Sequence, residues 1–191
     1  MPSKMRGKER VPKGLLYYPD FLTEEEEKAI LSFIRELDYS QVVLHGQAAK
    51  RTVVHYGYTY DYEAVKIKKG EPFPDIIQKL SDQCAHQAGI AKDDIVQCLI
   101  SHYPKSATIG WHRDKFLFGP TIMGVSLLSS CKMRFQHTHE EIRYVHEQKL
   151  LPKSMYILSG PARTVWEHSI PAVDEERYSI TFRTLSSSIK N

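Results

Sequence analysis

From Ile95 to Leu185 the chain is a succession of short runs of β-type composition: IVQCLISHY, TIMGVSLL, CKMRFQ, IRYVHE, SMYILSG, RTVWEHSI and YSITFRTL. They are rich in β-branched and aromatic residues, and Gly, Pro and Ser clusters punctuate them. Successive side chains of a strand point to opposite faces, so runs of this kind bury their apolar faces only against one another. Many short strands at this density make a sandwich or a barrel.

The residues before Ile95 have a different texture. In FLTEEEEKAILSFIREL, Thr23 stands three positions before Glu26, the signature of a capping box, and Ala29, Ile30, Phe33, Ile34 and Leu37 follow at helical spacing. Glu24 to Glu27 crowd the first turn, where the positive end of the helix dipole tolerates them, and they are assigned no chemistry. A second amphipathic helix begins near Pro74, with Ile76, Ile77, Leu80, Cys84 and Ala88 as its apolar stripe and Gly89 to end it. Both read as packing elements.

At 191 residues, with 41% hydrophobic and 10% aromatic composition, the chain fits one domain with a substantial core. Residues 1–14 read as a flexible basic arm, and 15–191 as a single domain in which 15–94 give helical support and 95–191 the β core. The net charge is +3, but Lys4, Arg6, Lys8, Arg10 and Lys13 face only Glu9 in that arm. The remainder is therefore slightly acidic, and net charge names no partner. Three distant cysteines, Cys84, Cys98 and Cys131, without a CxxC pair suit reduced thiols. No apolar run approaches the ~20 residues that span a bilayer, and the basic N-terminus lacks the apolar segment of a secretory signal. The expectation is a cytoplasmic monomer, with a nuclear location as the alternative for a eukaryotic chain, neither secreted nor membrane-associated.

The stretch IGWHRDKF puts His112 and Asp114 two residues apart, on one face if the segment is extended. Such a pair is common by chance and is not a site without a third ligand; His168, ending the run TVWEH, is the best candidate. Two histidines and one carboxylate on one face of an octahedral ion suit a non-haem Fe(II) oxygenase. In RYSITFR, Tyr178, Ile180 and Phe182 alternate with Arg177, Ser179, Thr181 and Arg183. An arginine-bearing polar face beside a metal suggests capture of a carboxylate, which guanidinium binds bidentately; the plainer alternative is a solvated face. Arg177 and Arg183 stand about 20 Å apart along an extended strand, so spacing alone supports one anchor.

Together HRD, WEHSI and RYSITFR resemble the AlkB family of Fe(II)- and 2-oxoglutarate-dependent dioxygenases, and the likeness runs from Leu15 and YPDFLTEEEE to FRTL. The resemblance implies a mainly β fold with flanking helices (α+β): a double-stranded β-helix, or jelly roll, with N-terminal amphipathic helices packed on one side. It also places a nucleotide-recognition lid within 15–94. It implies Fe(II) on His112, Asp114 and His168, with 2-oxoglutarate and O2 as co-substrates. Arg177 matches the arginine that binds the distal carboxylate of 2-oxoglutarate, Arg183 the second arginine of the motif nearer the iron, and Tyr103 a tyrosine that hydrogen-bonds 2-oxoglutarate. Ser101 and Ser179 stand where asparagine is frequent in members that repair nucleic acid, and join the same set with a shorter reach. The chemistry implied is hydroxylation of an N-methyl group to a hemiaminal that releases formaldehyde, with succinate and CO2 as co-products.

For the substrate, Tyr56, Tyr58, Tyr60 and Tyr62 recur at period two, flanked by Lys50, Arg51, Lys66, Lys68 and Lys69. Aromatics bracketed by cations suit a single strand or a flipped base; equally, tyrosines at this period half-bury on a sheet face. Tyr60, Tyr58 and Arg51 are the candidates, with Lys115, which matches a basic position beside the substrate in some members. Trp111 is open to two readings, a wall of the pocket or a filler of the core, and its place next to His112 but on the opposite face favours packing. HTHEE offers His137 and His139 as a rival metal pair with no evident partner, on an exposed hairpin. Three readings stay open: demethylation of alkylated bases in DNA or RNA, the same chemistry on a protein side chain or small molecule, and a silent jelly-roll binding module.

Overall fold

The computed structural model of the chain describes residues 8–44, 47–61, 66–114 and 116–185. Two sheets face each other. The larger takes β2 (Leu15–Tyr18), β3 (Ser40–Leu44), β4 (Gln47–Asp61), β6 (Ile95–Tyr103), β8 (Phe118–Leu127), β11 (Met155–Leu158) and β13 (Arg177–Leu185), in the order β2-β11-β8-β13-β6-β4-β3. The short β5 (Lys66–Lys69) pairs with the far end of β4 as a two-stranded ribbon. The smaller sheet has the order β1-β10-β9-β12-β7, from β1 (Lys8–Glu9), β7 (Ile109–His112), β9 (Cys131–His139), β10 (Ile142–Leu150) and β12 (Glu167–Ile170). Strands that alternate between two facing sheets are the jelly-roll arrangement anticipated from the β-type runs.

The helices cover the outer face of the larger sheet. Helix α1 (Glu24–Ile34) starts with the anticipated capping box: Thr23 Oγ1 accepts from the N–H of Glu26, and the Glu26 carboxylate accepts from the N–H of Thr23. Helix α2 (Asp75–Ala88) starts after Pro74 and ends on Gly89 in the left-handed conformation. Ile30, Ile34, Ile77, Leu80 and Cys84 form one core with Cys98, Ile100, Val125, Ile180 and Phe182. A second core lies between the sheets, around Tyr103, Ile122, Phe135, Leu158 and Trp166, and the five-residue α3 (Gly160–Thr164) adds Ala162 to it. Besides the two helices, residues 15–94 supply β2 to β5, because their apolar positions at LLYY, VVL and TVVHY continue the same sheet.

The basic arm is described only from Lys8, and its first two described residues are the strand β1. Lys8 and Glu9 pair in parallel with Tyr144 and Val145, the N–H of Arg10 donates to Val145 O at 3.0 Å, and Glu9 meets His146 at 2.7 Å. The physical reason is the open edge of β10, whose unpaired backbone groups accept another strand. Between β9 and β10, Glu140 and Glu141 both take positive φ, 48° and 63°, as a two-residue hairpin turn requires.

Registers decide what faces inward. Strand β13 lies antiparallel to β6 with Arg177 opposite Tyr103, Ser179 opposite Ser101 and Arg183 opposite Gln97. Opposed residues share a face, so the polar set of RYSITFR turns into the space between the sheets while Tyr178, Ile180 and Phe182 join the helix core. Among the described residues no helix is long and apolar enough to cross a membrane.

Candidate active site

His112 is the last residue of β7, and His168 lies directly across from it on β12. Antiparallel pairing thus closes the sequence gap between them and brings the imidazole centroids to 4.3 Å. Asp114 sits just past the strand end rather than within it, with Oδ2 3.4 Å from His168 Nε2. The three potential ligand atoms lie within 4.8 Å of one another. The intervening Arg113 is exposed, so alternation persists beyond the strand.

The protonation states fit a divalent cation. His112 Nδ1 lies 2.9 Å from Gly110 O, and a carbonyl can only accept, so Nδ1 carries a proton and Nε2 is the nitrogen left to face a metal. Burial, reinforced by His112, pushes the pKa of His168 down to about 4, so it is neutral at pH 7. Burial would raise the Asp114 carboxyl, but Arg183, His168 and His112 outweigh it and hold the group well below the usual carboxylate range. Two imidazoles and one carboxylate are the donor set that non-haem Fe(II) takes. HTHEE does not compete: His137 and His139 stack on each other 6.1 Å apart, and no third ligand joins them among the described residues.

Two arginines fix Asp114. Arg183 donates from Nε and Nη2 to Oδ1, at 3.0 and 2.7 Å. Arg163 of α3, buried to 3% exposure, donates from Nη1 to Asp114 O at 2.9 Å and from Nη2 to Phe118 O at 3.1 Å, which ties down the segment between β7 and β8. Nothing in PARTV signals that role, since it depends on how α3 packs.

A cavity of about 410 Å³ opens from the triad between the sheets. Its wall includes Arg177, which is completely buried and has Tyr103 beside it, with the guanidinium carbon 4.8 Å from the ring centroid. Arg177 Nη2 donates to Ser126 Oγ at 2.9 Å, while Nε and Nη1 have no hydrogen-bond partner among the described residues. Leaving buried charged donors unsatisfied is costly, and a carboxylate arriving in the cavity would satisfy one of them together with the remaining N–H of Nη2; the residues present therefore fit 2-oxoglutarate. The two arginines do not converge: Arg177 faces the cavity with donors to offer, and Arg183 is engaged with Asp114 and Gln97. Ser101 and Ser179 lie side by side in the wall. Tyr156, absent from the sequence reading, also lines it, and a Cβ at Gly124 would run into its ring. A glycine in mid-strand was the available signal.

On the substrate side, Arg51 reaches the cavity wall and donates to Ser101 Oγ at 3.1 Å. The row of tyrosines is interrupted. At Gly57, with φ +76°, β4 stops pairing with β6 and starts pairing with β5. Tyr56 packs against the helix core, and Tyr58 is half-buried on the ribbon; neither is in the cavity wall. Lys115, Tyr62 and the side chain of Tyr60 lie outside the described residues. Trp111 departs from its packing role: it lines the cavity and is 41% exposed, because β7 is the edge of its sheet and leaves that face uncovered.

A jelly roll that holds two histidines and a carboxylate beside a buried arginine defines a non-haem iron oxygenase that takes a carboxylate co-substrate. The profile of the 2OG-Fe(II) oxygenase superfamily matches residues 14–183; the chain belongs to that superfamily and, within it, to the AlkB family. Its cofactors are accordingly Fe(II), 2-oxoglutarate and O2. It is 30% identical over 167 residues to the tRNA (carboxymethyluridine(34)-5-O)-methyltransferase alkbh8 of Xenopus tropicalis, covering 84% of this chain and 25% of that protein. It is 28% identical over 182 residues to the Alkylated DNA repair protein ALKBH8 homolog of Arabidopsis thaliana, covering 83% of this chain and 51% of that one. The chain thus spans about a quarter and about half of these two relatives. The solved structure of OsALKBH1 superposes with a TM-score of 0.68 at 14% identity, over 92% of this chain and 100% of that one, and so shares the fold.

Proposed function

We propose that this 2-oxoglutarate- and Fe(II)-dependent dioxygenase oxidises N-alkylated bases in DNA or RNA and removes the alkyl group as an aldehyde. The observation that carries the reading is the exposed indole of Trp111, adjacent to a metal ligand on the cavity wall, with Arg51 in the same wall, exposed Lys50 next to it on β4, exposed Arg113 just past β7, and exposed Lys68 and Lys69 on the β5 ribbon. An aromatic face bordered by cations suits a base with its phosphates. The printed names of the two relatives, one acting on tRNA and one a repair protein for alkylated DNA, support the same class.

Each residue then has a task. His112, Asp114 and His168 hold the iron; Arg183 keeps the Asp114 carboxylate anionic and aimed, and Arg163 holds the backbone carbonyl of the same residue. Arg177 binds the distal carboxylate of 2-oxoglutarate, with Tyr103 beneath the guanidinium and Ser101 and Ser179 alongside. Trp111 stacks on the base and Arg51 neutralises a nearby anion. Bound together, Fe(II), O2 and 2-oxoglutarate supply the oxidising power that converts an N-methyl C–H to C–OH, leaving succinate and CO2. The resulting hemiaminal breaks its C–N bond unaided, giving formaldehyde and the N–H base, so the cavity needs no separate acid–base pair.

The test is incubation of the protein with Fe(II), 2-oxoglutarate and DNA or RNA oligonucleotides bearing 1-methyladenine or 3-methylcytosine, read by mass spectrometry, with His112→Ala as control. Loss of one methyl group from any of them, absent in the control, supports the reading. Succinate production with no conversion of any oligonucleotide rejects the nucleic-acid substrate in favour of a protein side chain or small molecule.

A further inference from the structure

Gln97 stands out in the apolar run IVQCLI because it is 2% exposed and yet polar. A buried amide is tolerated when both its ends are hydrogen-bonded. Both are: Nε2 donates to Tyr58 O at 2.7 Å, and Oε1 accepts from Arg183 Nη1 at 2.8 Å. Arg183 in turn uses Nε and Nη2 on Asp114. A continuous series of hydrogen bonds therefore runs from the backbone of Tyr58 to the carboxylate of the metal triad.

The place where it begins is a junction. Pairing of β4 with β6 ends at Gly57 opposite Gln97, and pairing with β5 begins at Tyr58 opposite Lys69. Gly57 is required there, since its φ of +76° suits glycine and any Cβ would meet the carbonyl of Val96. Its N–H donates to Glu71 O at 2.7 Å, and its carbonyl accepts from Gly70 N at 2.8 Å, so the base of the ribbon is closed by backbone bonds. The ribbon's side-chain link to the sheet at this point is Gln97, and beyond it lie Tyr58, Lys68 and Lys69.

We infer that Gln97 is a positioning residue that couples the β4–β5 ribbon to the metal centre. The position of the ribbon biases Arg183, and through it Asp114; a cation on Asp114 changes the charge Arg183 faces, and through Gln97 changes the hold on the ribbon. Energetic coupling between two sites is reciprocal, so metal must tighten the ribbon by the factor by which the docked ribbon tightens metal. The inference rests on the reading of His112, Asp114 and His168 as the metal site.

The experiment uses Mn(II), which binds such sites without redox turnover, and measures amide hydrogen exchange of residues 58–61 and 66–69 with and without it in the full chain. Gln97→Glu keeps an acceptor for Arg183 but loses the donor to Tyr58; Gln97→Met loses both. In the wild type, bound Mn(II) is expected to slow exchange in the ribbon by about fivefold or more. In both variants that response should vanish while Mn(II) still binds, more weakly by the same factor. A merely structural glutamine would shift basal stability and leave the Mn(II)-dependent difference intact, which overturns the coupling. So does wild-type ribbon exchange that bound Mn(II) does not move, a result independent of whether either variant folds. Failure of the wild type to bind Mn(II) at all removes the metal centre and the coupling with it.

Discussion

Replacing Arg177 with methionine deletes a fully buried guanidinium whose Nε and Nη1 have no hydrogen-bond partner among the described residues. Charge-assisted hydrogen bonds contribute about 1.5–3 kcal/mol each. A carboxylate held by two guanidinium N–H groups, one from Nε or Nη1 and the remaining one of Nη2, therefore loses about 3–6 kcal/mol in the variant, a rise of about 10²- to 10⁴-fold in the Kd of 2-oxoglutarate. Isothermal titration with Mn(II) in place of iron reads this directly. Thermal melting gives a second measure. At a hundredfold excess over Kd, a ligand stabilises the wild type by about 2.7 kcal/mol, which for a chain of this size raises Tm by about 5–10 °C. The variant should show no such increment at the same concentration. Without ligand it should melt within about 5 °C of the wild type, because the methionine removes an uncompensated buried charge at the same time as the bond to Ser126. A variant that keeps the wild-type Kd and the wild-type increment would refute the assignment of Arg177 as the anchor.

Trp111→Ala should raise the KM for a methylated oligonucleotide by about 10- to 100-fold, the worth of one base–aromatic stack, with unchanged Mn(II) affinity; an unchanged KM would remove the indole from substrate recognition. Because the other tryptophan, Trp166, is buried, quenching of intrinsic fluorescence by the oligonucleotide should be lost in the same variant. Arg163→Leu frees the segment that carries Asp114 and should weaken Mn(II) binding by about 10- to 100-fold, which titration checks. The pH dependence follows from His168. Its folded pKa, about 4, lies below the ordinary value of 6.5, so between those values the unfolded chain binds more protons. Stability of the metal-free protein should fall as pH drops from about 6.5 to about 4 and then level off with respect to this group, a loss of about 3 kcal/mol at most. His168→Gln should flatten that part of the denaturation profile; a slope that survives the substitution would place its origin elsewhere.

Local sequence carried much of this molecule because local physics acts within a few residues. The capping box at Thr23 and Glu26, the left-handed stop at Gly89, and the alternation in RYSITFR each follow from one turn or one strand, and each is present. His112, Asp114 and His168 were legible as metal-ligand types at a plausible spacing, and Arg177 as a cation on a polar strand face. The division of labour between Arg177 and Arg183 was not, because it depends on Asp114 and Gln97 arriving from β6 and from the end of β7. Nor was the break in the tyrosine row, since a period-two pattern holds only while the strand keeps its pairing, and Gly57 ends that.

The sequence by itself determined the class of fold, the residue types of the metal site, the starts of both long helices and the end of the second; it ran the first on to Leu37, three residues past its end at Ile34. Tertiary structure alone decided that β7 and β12 are neighbours, that Arg163 and Gln97 belong to the site, and that Trp111 rather than Tyr56 lines the cavity. The reason is the same throughout. A strand's periodicity tells which side chains share a face, but only the pairing partner, set by contacts tens of residues away, tells what that face meets.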